Sequence, residues 1–261
     1  MTGCELIMAG ALATNAILAA LDRCEPDETL HIPSGTYLVE PSRITIRKPV
    51  KLIMQPDTEL RVIPNGRTHY HIIRIDANDV TVSGGTLTGD RYHHKSTEGE
   101  WGHGIFVGSA KNVTISGVTS KDMWGDGFYV GGGKSVTFDG VIADNNRRQG
   151  LSIVHARRVT VRNSLFSNTN GTRPSAGIDI ETNRRRRVDG VTITHSGFFG
   201  NAGPGIKVHD KKGPIQNVKI SDCQFSGNES PIKSRTFSWI SRKLIGLGLF
   251  DVTEAEMAGG G

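Results

Sequence analysis

Gly104-Ile105-Phe106-Val107 returns as Gly127-Phe128-Tyr129-Val130, Gly150-Leu151-Ser152-Ile153, Gly177-Ile178-Asp179-Ile180 and Gly205-Ile206-Lys207-Val208. The glycines are 23, 23, 27 and 28 residues apart, and a degenerate sixth copy, Pro231-Ile232-Lys233-Ser234, follows after another 26. Self-similarity at a period of roughly 20–30 residues is the mark of a solenoid. Within each copy the two apolar residues are two apart, so they face one way as in a strand while the residue between them faces the other. The phrase therefore predicts one strand per rung, with a core side and an outward position where function can vary.

Between these phrases lie second strands, among them Asn112-Val113-Thr114-Ile115, Ser135-Val136-Thr137-Phe138, Arg158-Val159-Thr160-Val161 and Asn217-Val218-Lys219-Ile220. Third segments then end in Asn or Asp, as in Asp144-Asn145-Asn146, Asn168-Thr169-Asn170, Gly200-Asn201 and Gly227-Asn228. Three short strands per rung with polar turns between them make an all-β parallel β-helix of about eight to nine rungs. An α/β fold would need helical segments between its strands, and none is present there. The Ala/Leu-rich stretch Thr14–Cys24 has helical spacing and precedes the first strand, where it would cover the open end of the core. The chain reads as one domain, 1–261: an N-terminal cap over 1–26, rungs over 27–234, and a C-terminal cap with a flexible Gly tail over 235–261.

Gly is abundant at 33 residues and aromatics are few at 6%, which suits frequent turns and short strands. No segment approaches the ~18 consecutive apolar residues of a membrane span. The first twenty residues lack a basic n-region, so no signal peptide is read; the location is extracellular or virion-associated if a leader or fusion was removed, otherwise cytoplasmic. The net charge is +5, yet residues 141–212 hold 13 Lys and Arg against 5 Asp and Glu. Such a stretch is either a solvated face or the footprint of an anionic partner. Such a partner would be an acidic polysaccharide or a nucleic acid, and no nucleic-acid-binding module is legible, so no nucleic acid is expected. Cys4 and Cys24 are placed to pair across the cap, but buried thiols are the expectation for all three cysteines.

The entry helix, Ile32-Pro33-Ser34-Gly35-Thr36-Tyr37 and the rungs together resemble the pectin-lyase-like superfamily over roughly residues 12–235. That superfamily of right-handed β-helices includes pectate lyases, polygalacturonase-type glycosidases, mannuronan epimerases and phage tailspike depolymerases. The resemblance implies a right-handed, single-stranded helix of three sheets that binds a polysaccharide along one sheet between overhanging turns. Polygalacturonase-type enzymes carry Asn-Thr-Asp, Asp-Asp, Gly-His-Gly and Arg-Ile-Lys on successive rungs. Here Asp126 stands at the first acid and Gly205-Ile206-Lys207 resembles the last motif. Arg148-Gln149 replaces the acid pair and Ala176 the histidine.

Two long turns, Gly89–Gly104 and Thr169–Ala176, both precede a Gly-type strand and so overhang the same sheet. The outward column beneath them reads Phe106, Tyr129, Ser152, Asp179, Lys207, Lys233. Gly108 and Gly131, two residues further along, are expected to leave the groove floor open. Asp179 and Glu181 share a face with Cα atoms ~6.5 Å apart, a spacing that suits an acid and a base with water between them. No cofactor is required by this chemistry, although Asp126, Asp179 and Glu181 also suit a Ca2+ ion. Arg147 and Arg148 are expected to read a uronate carboxylate, and Tyr129, its pKa lowered by them, to act as the base of a β-elimination. Lys207 would hold Asp179 ionised, or form an ordinary cross-strand pair with it. Trp101, His103, Phe106, Trp124, Gln149 and His209 complete the expected sugar-binding set. Arg184–Arg187 belong to the rim, and His93, His94 and His103 lack the spacing of a zinc site.

Lyase and hydrolase readings stand side by side. Uronan C5-epimerisation, using the same groups without chain scission, is a further alternative. A non-catalytic, tailspike-like glycan-binding module differs in class; the chain would be a monomer or, in that form, a trimer.

Overall fold

The computed structural model of the protein describes residues 4–5, 12–183, 185–210 and 213–234. The chain winds as a right-handed β-helix with three parallel sheets of nine, eight and eight strands. The Gly-type strands form one eight-stranded sheet, here called the groove sheet. Its members run Ile44–Ile46, His69–Ile75, Trp101–Val107, Asp126–Val130, Gln149–Ile153, Ile178–Glu181, Ile206–His209 and Ile232–Ser234. The second-strand segments build the nine-stranded sheet. Its ninth member is Cys4–Glu5, which pairs with Leu30 and His31, so the N-terminal cap contributes a strand as well as a helix.

Alternation along each strand buries one face. Ile105, Phe128, Leu151, Ile178 and Ile206 are wholly buried beneath the groove sheet. Phe166, Phe198 and Phe225 stack from the third sheet at centroid separations of 5.3 and 4.9 Å. Rungs would otherwise leave turn amides unpaired inside, and buried asparagines satisfy them. Asn146 accepts from the Met123 amide and donates to the Ser120 carbonyl, and Asn201 does the same between Thr169 and Phe166. The cap helix, Thr14–Arg23, buries Ile17, Ala20 and Leu21 against the first rung. Lys48 donates to the Asp22 and Cys24 carbonyls at its C-terminal end, where a cation suits the exposed carbonyls.

Cys24 is disulfide-bonded, not the free thiol expected from sequence, whereas Cys223 is free and buried. The expected C-terminal cap and Gly tail, 235–261, lie outside the described residues. Among the described residues no helix is long and apolar enough to cross a membrane.

Candidate functional site

In-register pairing stacks Phe106, Tyr129, Ser152, Asp179, Lys207 and Lys233 into one outward ladder. Arg74 extends it by a rung beside Phe106. At its middle stands the Arg148 guanidinium, nearly buried. Nη1 donates to both oxygens of Asp126 at 3.3 and 3.2 Å, Nη2 lies 3.5 Å from Glu181 Oε1, and Nε lies 3.5 Å from Glu100 Oε1. Ser152 donates to Asp126 Oδ2 at 2.9 Å. One rung on, Gln149 Nε2 and Lys207 Nζ both donate to Asp179 Oδ2, at 3.1 and 3.3 Å.

Asp126 and Asp179 are 0% exposed, while the Glu181 and Glu100 side chains retain 23% and 32%. Burial pushes the Asp126 carboxyl up to about 6 against the pull of Arg148 and the Ser152 hydrogen bond. Burial likewise pushes Asp179 up to about 7, with Lys207 pulling down and the Glu181 charge adding to the rise. Burial opposes the Arg148 charge, but Asp126, Glu100 and Glu181 outweigh it and hold the guanidinium protonated. This is a cation ringed by three carboxylates, Asp126 deep and Glu181 and Glu100 facing solvent, with Asp179 held by Lys207 one rung on.

Beside the ring lies a cleft of about 500 Å³, whose walls include His69, His71, Arg74, Trp101, Phe106 and Tyr129. Trp101 stacks on His69 at 4.4 Å and keeps 37% of its surface exposed. Phe106 stacks on Tyr129 at 5.0 Å, and His103 on Tyr129 at 4.7 Å. Burial, with Arg74 nearby, depresses His71 to about 4; burial and the Arg148 charge carry His103 well below the usual histidine range. Both imidazoles are therefore neutral wall groups. The two glycines expected to open the floor are filled by neighbours: a Cβ at Gly131 would meet the Phe106 and Tyr129 rings at 3.1 Å, and one at Gly108 would meet Asp76 Oδ1 at 2.3 Å. They let the aromatic stack and Asp76 lie flat on the sheet.

Several expectations are corrected. Tyr129 is pushed up to about 12, not down, because burial and the Asp126 and Glu181 charges outweigh Arg148; it is no base. Arg147 points away from the groove, donating to the Gly99 and Trp124 carbonyls and lying 3.7 Å over the Trp124 ring. Trp124 is 8% exposed, sandwiched between Arg147 and His94, so it anchors the overhanging turn and offers no sugar platform. Gln149 is buried, its amide spent on Asp179 and the Ala176 N–H. The groove is not basic at this point: four carboxylates face Arg148 and Lys207, while Arg157, Arg158 and Arg162 sit on the nine-stranded sheet. Among the described residues no group of three His, Cys, Asp or Glu side chains is arranged for a metal. Arg148 lies 3.2 Å from Asp126 Oδ2 and 3.5 Å from Glu181 Oε1, two of the three carboxylates that also suit a Ca2+ ion.

The Asp179–Lys207 pair is present, and His209 lies in register with Glu181. Arg185, Arg186 and Arg187 are exposed on the turn after the Asp179 strand, and Arg184 lies outside the described residues. Glu100 and Ser152 were missed as site residues. Ser152 was visible as the small polar residue between Tyr129 and Asp179 in the outward ladder, whereas Glu100 is brought in by the path of a long turn that carries no periodic signal.

The right handed beta helix region family matches residues 71–238. The chain belongs to this family. The β-helix is 30% identical to the uncharacterised protein YclG of Bacillus subtilis (strain 168), across 78% of this chain and 42% of YclG. It is also 30% identical to the SPbeta prophage-derived uncharacterised protein YorA of the same organism, across 36% of this chain and 19% of YorA. The chain thus spans less than half the length of these curated relatives. Among solved structures it superposes on a polygalacturonase from Erwinia carotovora ssp. carotovora with a TM-score of 0.73 at 16% identity, covering 89% of this chain and 72% of that one. An endo-xylogalacturonan hydrolase from Aspergillus tubingensis gives 0.65 at 14% identity, covering 94% and 80%. At such identities the likeness is one of fold alone.

Proposed function

We propose that this β-helix hydrolyses glycosidic bonds of an acidic polysaccharide lying along the groove sheet, with Asp179 as proton donor and Glu181 as the base that activates water. One observation carries the reading: a carboxyl pushed up to about 7 stands two residues from a solvent-facing glutamate on the same strand. Paired carboxyls whose environments differ are how one site supplies both acid and base near neutral pH. Two apart on one strand, Asp179 and Glu181 share a face with Cα atoms ~6.5 Å apart. Asp179 Oδ1 has no hydrogen-bond partner while Oδ2 is held by Gln149 and Lys207, so the free oxygen is the one to give a proton. A glycan reaches it by lifting Lys207 aside. Arg148 Nη2, 3.5 Å from Glu181 Oε1, aims that carboxylate, and Trp101, Phe106 and Tyr129 take the faces of neighbouring sugars.

Elimination and epimerisation lose their support with Tyr129, which keeps its proton, and with Arg147, which is committed to the turn. A non-catalytic glycan-binding role is the second reading, favoured by the complete burial of Asp126 and Asp179. Turnover on a panel of acidic polysaccharides separates them. Hydrolysis yields new reducing ends without the ultraviolet absorbance of an unsaturated product. Glu181→Gln and Asp179→Asn should each lower kcat by about 10²–10⁴-fold, and wild-type activity should fall as pH rises through about 7 with loss of the Asp179 proton. Wild-type rates from Glu181→Gln would sink the assignment.

A further inference from the structure

At the C-terminal end of the groove sheet a second cleft of about 550 Å³ opens, its walls including Arg173, Pro174, Pro204, Lys207, Glu229 and Lys233. Its chemistry is opposite to that of the carboxylate ring, with three cations facing one carboxylate. Lys207 is tied to Asp179 at 3.3 Å. Lys233 reaches Glu229 at 3.0 Å, but both side chains are about half exposed, at 59% and 48%, and such a pair is weak in water. Among the described residues the Arg173 guanidinium has no protein partner. It is carried by the long turn that overhangs the sheet, so it approaches the cleft from above while Lys233 approaches from the floor. Lys207 and Lys233 are also direct register neighbours, an arrangement of like charges that costs stability unless an anion lies over it. The two prolines give a rigid, largely apolar wall against which a pyranose ring can lie.

We propose that this cleft is a binding subsite for an oxyanion-bearing sugar, held by Arg173 and Lys233 through a uronate carboxylate or a sulfate ester. Arginine offers such a group a bidentate fork, and the lysine a second, mobile charge. Lys233 lies two register steps, ~10 Å, beyond Asp179. The anionic sugar is therefore recognised beyond the scissile bond, and the bond itself sits where carboxylates outnumber cations. Placing the bond at Asp179 and Glu181 rests on the hydrolytic reading above; binding of the anion does not.

The test is calorimetric titration of the full chain at low ionic strength with three hexasaccharide probes: oligogalacturonate, its methyl ester, and a sulfated galactan oligomer. Wild type should bind at least one acidic probe ten-fold or more tightly than the ester. A uronate preference identifies the carboxylate, and a sulfate preference the ester sulfate. Arg173→Gln and Lys233→Gln should each weaken acidic binding at least three-fold, with binding of the methyl ester unchanged. Both side chains are exposed, so thermal midpoints should match wild type. Equal affinity for acidic and neutral probes, or undiminished acidic binding by both variants, overturns the subsite. Repeating the titration with Glu181→Gln separates the two ideas: retained acidic binding without turnover upholds the subsite whatever becomes of the hydrolytic assignment.

Discussion

Arg148 decides the electrostatics of the site, and its neighbour Arg147 shows why a sequence cannot say so. The two are consecutive and chemically identical, yet one is ringed by carboxylates and the other is stacked on Trp124. Which of them enters the groove depends on the turn at Asn145–Arg148, where backbone bonds to the rung before fix the direction of each side chain. The sign of the Tyr129 shift was likewise hidden, because it depends on burial and on which charges lie nearer than Arg148. The outward ladder itself was legible, since strand alternation alone fixes it. Removing Arg148 leaves Asp126 buried with Ser152 as its remaining hydrogen-bond donor. Arg148→Ala should therefore cost about 3–5 kcal/mol, the range for breaking a buried pair from one side, read as a lowered urea midpoint. Arg148→Lys keeps the charge but loses the fork that reaches Asp126, Glu181 and Glu100 together. It should recover much of the stability while leaving turnover far below wild type. Equal loss in the two variants would mean that charge alone matters there.

At the scale of elements, the rungs were readable because each is written locally: a glycine, two core residues and one outward residue. The long turn Gly89–Gly104 was readable only as an overhang. Its path is set by contacts distant in sequence that have no period. Asp90 is buried and accepts from the Asn65 amide and side chain, from the Tyr70 hydroxyl and from His94. Arg91 forks onto the carbonyl and side-chain oxygens of both Asn145 and Asn170, binding the turn to two successive rungs. Asn145 holds a positive φ of 52°, a conformation asparagine tolerates better than most residues, and also donates to Tyr92 and Asp122. Arg91→Ala should free the outer part of the turn without loosening the sheets. The expected result is faster amide exchange and proteolytic cleavage confined to residues 91–100, an unchanged unfolding midpoint for the core, and a raised KM as Glu100 and Trp101 lose their fixed positions. Exchange that rises throughout the groove sheet would show that the turn supports the solenoid itself.

A solenoid is stabilised mainly by contacts between neighbouring rungs, so a costly patch in its middle is carried by the stacks on either side. The groove contains such a patch: Asp126 and Asp179 are wholly buried, with folded-state pKa values of about 6 and about 7 against an ordinary 3.8. Folded chains then bind more protons than unfolded ones between those limits. Stability from the two carboxyls is fully present below the unfolded pKa and is lost as pH rises through about 6 and 7. His71 acts in the opposite sense, since its folded pKa of about 4 lies below 6.5 and its neutral form is favoured only as pH rises. His103, carried well below the usual histidine range, acts in the same sense, so the two histidines offset much of what the two carboxyls lose as pH rises. The wild-type urea midpoint should thus change little between pH 5 and 8. Asp179→Asn, which cannot ionise, leaves the histidines less opposed and should become more stable than wild type at pH 8, while remaining no better at pH 5. A midpoint in the variant that tracks wild type across the whole range would mean that Asp179 ionises at no cost, and with that its role as a proton donor near neutral pH would go.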